Sequence, residues 1–119
     1  MSTERTPLYA TDDGTEERTT CELTGEAFDQ LGSEWRLKVL YTLHEEGELR
    51  FNELKRQSGA NSQTLSRVLN DLQEMGFVER RVDADGPIAV SYRLTQKGAD
   101  LQPLFEDVEG WAEQWAPEA

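Results

Sequence analysis

Apolar positions recur at spacings of three and four through the first part of the chain, then at spacings of two, then at three and four again. This pattern predicts helices, a short β segment and a closing helix. A short helix is predicted over Glu26–Leu31, burying Phe28 and Leu31. After Gly32, Ser33 can cap a second helix running to Glu46, whose apolar stripe is Trp35, Val39, Leu40 and Leu43. Gly47 stops it, and Glu48–Phe51 reads as a short extended stretch. A third helix covers about Asn52–Gln57 with Leu54 inward, and Ser58, Gly59 and Ala60 form a tight turn. Asn61 or Ser62 then caps a fourth helix to Met75, with Leu65, Val68, Leu69 and Leu72 on one face and Gly76 at its end.

Phe77–Val82 and Ile88–Leu94 read as strands. In the second, Ile88, Val90, Tyr92 and Leu94 share one face, and Ala89, Ser91 and Arg93 share the other. Asp83 to Pro87 supplies the hairpin loop. A last helix starts near Thr95 and carries Leu101, Leu104, Phe105, Val108, Trp111 and Trp115. Two short helices around a glycine-containing turn form a helix-turn-helix. The following hairpin and helix give the order of a winged helix-turn-helix: mainly α, with a small β-wing and an added C-terminal helix. The 119 residues suit one domain, placed at 21–119, behind an acidic tail over 1–20 that lacks periodicity and is expected to be disordered.

The chemistry available is narrow. Cys21 is the only cysteine and His44 the only histidine, so no disulfide framework, zinc site or Cys/His or Ser/His nucleophile pair is supported. No glycine loop of the phosphate-cradling kind is present. An enzyme is not expected, nor a cofactor or a metal. No apolar run nears the roughly 18 residues of a membrane span, and nothing resembles a secretory signal, so a soluble cytoplasmic protein is expected.

The formal net charge of -12 argues at first against nucleic acid, but the charge is unevenly spread. Residues 1–49 hold 12 acids and four bases, and residues 98–119 hold six acids and no base. Residues 50–97 hold eight bases and six acids. The one segment that is not acidic therefore contains the helix-turn-helix and the wing. Three lysines against nine arginines in so acidic a chain resembles adaptation to a salty cytoplasm, although an ordinary acidic protein has the same balance. At about 1 M salt the Debye length is about 3 Å, so acidic flanks would repel DNA little while close arginine–phosphate contacts survive.

The outward face of the fourth helix is Gln63, Thr64, Ser66, Arg67 and Asn70. In a major groove, Arg can pair bidentately with guanine and Gln or Asn with adenine, while hydroxyls suit phosphates. On an isolated helix such a face would signify only solvation; within a helix-turn-helix followed by a wing it points to duplex DNA. Arg80, Arg81 and Arg93 on the wing could reach flanking phosphates, or could pair with Glu79, Asp83 or Asp85. Lys55 and Arg56 on the third helix could clamp the backbone or simply be solvated. The aromatic stripe of the last helix could cover the domain's own core. Large aromatics beyond a core already supplied by four helices and the wing suggest a homodimer instead, whose interface would use Phe28, Leu31, Leu104, Phe105, Val108, Trp111 and Trp115. His44 needs no role beyond the dipole at its helix end.

These residues resemble the HxlR group of winged helix-turn-helix regulators over about Cys21–Trp111. The elements of the likeness are a cysteine upstream of Gly32-x-x-Trp35, then Arg50-Phe51-x-Glu53-Leu54, then Leu65-x-x-x-Leu69-x-x-Leu72 closing at Gly76. Tyr92-x-Leu94-Thr95-x-x-Gly98-x-x-Leu101-x-Pro103 follows, then Trp111. The resemblance implies a promoter-binding dimer formed by the first and last helices, and makes Cys21 a candidate sensor of oxidants or electrophiles. The chain departs from the group at several points. Glu22 stands where a proline is usual, and Glu34 where a lysine is usual. Gln63, Val68 and Asn70 occupy positions that are often basic, and Ala89 replaces a basic residue of the wing. Fewer cations imply a smaller salt dependence, because the slope follows the phosphates neutralised. The alternative reading is a winged-helix module that docks on a protein without specific DNA binding.

Overall fold

The computed structural model describes residues 18–83 and 89–116. The expected tail lies outside the described residues up to residue 17, and the described residues divide into two compact units, the first ending at Ser33 and the second starting at Glu34.

In the first unit, α1 spans Thr20–Leu31. It starts six residues before the expected Glu26, because Thr19 caps it by accepting the Glu22 N–H at 3.0 Å. Thr19-x-x-Glu22 is the sequence form of a capping box, which the apolar periodicity alone does not reveal. Cys21 therefore lies inside the first helical turn, half-buried, rather than ahead of the helix. Arg18, just ahead of the cap, pairs with Glu26.

The second unit is built on α2 (Glu34–Glu46), α3 (Phe51–Ser58) and α4 (Ser62–Glu74). Val39, Leu40 and Leu43 from α2, Leu54 from α3, and Leu65, Val68, Leu69 and Leu72 from α4 are all buried. Full burial of such side chains contributes about 1.5–3 kcal/mol each before the entropy of ordering is counted. Gly59 ends α3 in the left-handed region at φ +85°, and its N–H donates to the Lys55 carbonyl at 3.0 Å. Asn61 caps α4 by accepting the Thr64 N–H at 2.8 Å. The turn between these caps is thus set by local chemistry, and it fixes how α4 leaves α3.

The sheet has three strands in the order β1-β3-β2: β1 is Leu49–Arg50, β2 is Val78–Asp83 and β3 is Ala89–Leu94. The extended stretch after α2 is therefore a third strand, with Leu49 opposite Tyr92 and Arg50 opposite Ser91. In the β2–β3 hairpin, Glu79 faces Arg93, Arg80 faces Tyr92 and Arg81 faces Ser91. The expected hairpin loop lies outside the described residues except for Asp83, which extends β2, and so does Ile88.

The single closing helix expected from Thr95 is two helices, α5 (Gln96–Ala99) and α6 (Gln102–Trp115). Pro103 has no N–H to give to the carbonyl four residues back, so the helix cannot run through it, and it sits instead in the first turn of α6. Thr95 caps α5 through its hydroxyl and also donates that hydroxyl to the Gly76 carbonyl at 2.6 Å.

Phe105 anchors α6 to α2. It is 5% exposed, edge-on to Tyr41 at 5.4 Å between ring centroids and 5.2 Å from the His44 ring. The Tyr41 phenol donates to a Glu109 carboxylate oxygen at 2.5 Å. Its pKa is pushed up to about 12, first by that hydrogen bond, then by burial and by the charges of Glu109 and Glu45. Among the described residues no polar or charged side chain is buried, and no helix is long and apolar enough to cross a membrane.

Candidate nucleic-acid interface

With its apolar stripe turned inward, α4 presents Gln63, Ser66, Arg67 and Asn70 on its exposed side, and Thr64 lies half-buried at the capped start. Ser62, Gln63, Ser66, Arg67 and Asn70, without Thr64, form one wall of an open cleft of about 720 Å³; the wing forms the other, through Arg80 and Tyr92. Phe51, Leu69 and Gln73 also line it. The sequence pattern did not assign Phe51, Gln73 or Tyr92 to the DNA-facing surface, although Phe51 and Tyr92 belong to the motifs of the family likeness. Gln73 lies three residues beyond Asn70 on the same helical face, and Tyr92 is the cross-strand partner of Arg80, so both follow from periodicity once the pairing is known.

The three wing arginines do not act as one set. Neighbouring residues in a strand point to opposite faces. Arg80 lies on the cleft side with Tyr92, whereas Arg81, Glu79 and their partners Ser91 and Arg93 share the other side. There, the Arg93 Nε is 2.5 Å from a Glu79 carboxylate oxygen, and Arg81 is 3.6 Å from Glu48. Glu48 also accepts a hydrogen bond from the Ser91 hydroxyl. Glu48, Arg81 and Ser91 line, with Arg50, Glu53, Asp83 and Ala89, a second recess of about 530 Å³, of mixed charge. By contrast, Lys55, Arg56, Arg67 and Arg80 have no carboxylate within ion-pair distance among the described residues. Lys55 and Arg56 lie in the last turn of α3, apart from the residues that line the cleft.

Elsewhere, α6 carries an exposed apolar stripe of Leu104, Val108, Trp111 and Trp115, the two tryptophans being about two-thirds exposed at 65% and 64%. Phe105, expected on this surface, belongs instead to the chain's own core, because its position on α6 points at α2. On α1, Phe28, expected to be buried, is instead exposed and Leu31 only half-buried, because no residue of this helix is buried within its own unit; Leu23 is a further exposed apolar residue. His44 is more than a charge at a helix end, since its ring packs on Phe105 and its Nε2 lies 3.8 Å from Glu45.

The model of the HxlR-like helix-turn-helix family matches residues 30–119. The chain belongs to this family. Its relatives include the HTH-type transcriptional regulator YodB of Bacillus subtilis, 35% identical over 98 residues that cover 82% of this chain and 87% of the relative. An HTH-type transcriptional regulator of Halalkalibacterium halodurans, BH0655, is 36% identical over 88 residues, covering 73% of this chain and 78% of its own. Among solved structures, the reduced form of YodB superposes with a TM-score of 0.71 at 33% identity, covering 82% of this chain and 96% of that one. The redox regulator HypR in its oxidised form gives 0.68 at 26% identity, over 81% and 99% of the two chains. The HxlR-like domain thus has the winged-helix fold of transcription regulators. The α4–wing cleft lies within its matched residues, and α1 begins ten residues ahead of them.

Proposed function

We propose that this HxlR-like protein binds duplex DNA sequence-specifically as a homodimer and regulates transcription. In this reading α4, with residues 62–75, lies in the major groove, and the wing over 77–94 lies on the flanking backbone. The observation that carries it is the convergence of Arg67, Gln63 and Asn70 from α4 with Arg80 from the wing on one open cleft. An α-helix fits the major groove, and these are the side chains that read guanine and adenine there. Lys55 and Arg56 would add contacts to phosphates.

Fluorescence anisotropy with the protein's own upstream DNA and a scrambled duplex, over a wide KCl series, tests this proposal. Preference for the upstream DNA is expected at every salt concentration where binding is measurable. If Lys55, Arg56, Arg67 and Arg80 of both protomers each displace one counterion, the slope of log K against log salt is expected to be about -7. A protein with no preference at any salt would instead be a module that docks on another protein.

The homodimer reading rests on the exposed stripe of α6, since aromatics are enriched at subunit interfaces and a C2 pair would bury the same stripe on both copies. Replacing both Trp111 and Trp115 with Ser is expected to turn a sedimenting dimer into a monomer. A monomeric wild type would remove this part of the proposal.

Solved structures of YodB include diamide-treated and quinone-bound forms. As the only cysteine, half-buried in the first turn of α1, Cys21 is the residue through which such a thiol reagent would act on this chain. Diamide, reduced to its hydrazine as it joins the Cys21 thiols of two chains in a disulfide, is then expected to weaken DNA binding by the wild type and to leave Cys21→Ser unchanged.

A further inference from the structure

His44 and Glu45 near the end of α2 and Glu109 on α6 each bring one potential ligand atom to a common spot, all within 4.8 Å of one another. We propose that these three residues bind one divalent first-row transition-metal ion, with Tyr41 as the positioning residue that holds the Glu109 carboxylate.

Three observations converge on this site. The first is the donor set. One imidazole and two carboxylates match the nitrogen–oxygen environment of Zn²⁺ and its neighbours, and are unlike the all-oxygen sites of Ca²⁺ and Mg²⁺. The second is order. The His44 ring forms a three-ring cluster with Phe105 and Tyr41, tilted at 5.2 Å from the first and 6.0 Å from the second, so packing restricts its direction. Glu109 is held at 2.5 Å by the Tyr41 phenol, the kind of supporting hydrogen bond that orients a ligating carboxylate. The third is charge. Glu45 and Glu109 face one another, and among the described residues neither pairs with a lysine or arginine, so a cation is what the pair lacks.

Zinc bonds to nitrogen and oxygen of about 2.0–2.2 Å place tetrahedral donors about 3.3 Å apart. His44 Nε2 and the Glu45 carboxylate are 3.8 Å apart already. Glu45, with its side chain 46% exposed, can swing inward by rotamer change. Water would complete the coordination. A bound ion would tie α6, which carries the exposed apolar stripe, to α2 beneath it.

The test is a Co²⁺ titration of chelator-stripped full-length protein, followed by its absorption bands and by Zn²⁺ competition, with thermal melts alongside. One saturable site per chain is expected, with saturating Zn²⁺ raising the melting temperature by at least about 5 °C. His44→Gln, Glu45→Gln and Glu109→Gln should each weaken binding at least tenfold, and Tyr41→Phe about tenfold, while Cys21→Ser should bind as the wild type does. Glu45 is exposed, so Glu45→Gln keeps the test decisive if a more buried variant fails to fold. Wild-type affinity weaker than about 1 mM would overturn the proposal. So would undiminished binding in His44→Gln, or a response to Mg²⁺ equal to that to Zn²⁺, since either would mean only charge screening of an acidic protein.

Discussion

Replacing Arg67 with Ala is expected to lower affinity for the protein's own operator by about 10- to 100-fold, with the melting temperature unchanged. The range corresponds to the roughly 1–3 kcal/mol that one good bidentate base contact contributes. Arg67 is suited to such a contact because it stands on the exposed side of α4, beside Gln63 and Asn70, with no carboxylate partner among the described residues. Removing it leaves the inward stripe of Leu65, Val68, Leu69 and Leu72 intact, so folding should not suffer. Arg80→Ala should also weaken binding, but about equally for operator and scrambled DNA, as befits a phosphate contact. Arg81→Ala and Arg93→Ala should each change affinity less than about threefold, because both are engaged by carboxylates on the far side of the sheet. Anisotropy titrations of the four variants at one KCl concentration would decide the matter. Full affinity in Arg67→Ala, or a larger loss in Arg81→Ala than in Arg67→Ala, would remove α4 from the role proposed for it.

Replacing Gly98 with Ala is expected to destabilise the domain by about 3 kcal/mol, at the upper end of the usual cost of overpacking. For a domain of this size that corresponds to a fall in melting temperature of roughly 12–24 °C. Gly98 is buried in α5, and a Cβ there would lie 2.4 Å from the Phe77 carbonyl oxygen and 3.0 Å from the Leu94 side chain. The Phe77 oxygen cannot retreat cheaply, because it accepts the Thr95 N–H at 3.0 Å and so joins the start of β2 to the cap of α5. Leu94 is held at the end of β3 opposite Val78. The clash is therefore with backbone and core together. Thermal melts followed by circular dichroism would measure the loss, and a variant melting within 2 °C of the wild type would refute the close-approach argument.

Gly98 is also where a sequence pattern acquires its physical meaning. Tyr92-x-Leu94-Thr95-x-x-Gly98 can be read as a family signature, but the structure turns it into a junction: a strand end, a cap whose hydroxyl reaches the Gly76 carbonyl, and a glycine that lets a carbonyl approach. Much of the remaining fold was legible in the same local way. Spacings of three and four identified the buried stripe of α4, and Asn61 and Gly59 marked the ends of the turn before it. Thr19 and Pro103 carried equally local signals that periodicity overrode. A stripe of apolar residues says which face is buried, but a cap or a missing N–H decides where a helix starts or must break.

By itself, then, the sequence determined the order of the helix-turn-helix and wing elements, the inward face of α4, and the class of side chain displayed on α4, since periodicity, caps and breakers act over a few residues. Tertiary structure alone decided the rest. It paired β1 with β3, which brought Glu48 to Ser91 and Arg81, and it placed Arg80 with Arg67 across one cleft. It also drew Phe105 into the core and gathered His44, Glu45 and Glu109 from two helices. Each of these juxtapositions joins residues far apart in the chain, and the strand registry and helix packing that create them are fixed by burial of the whole apolar surface, not by any local segment of it.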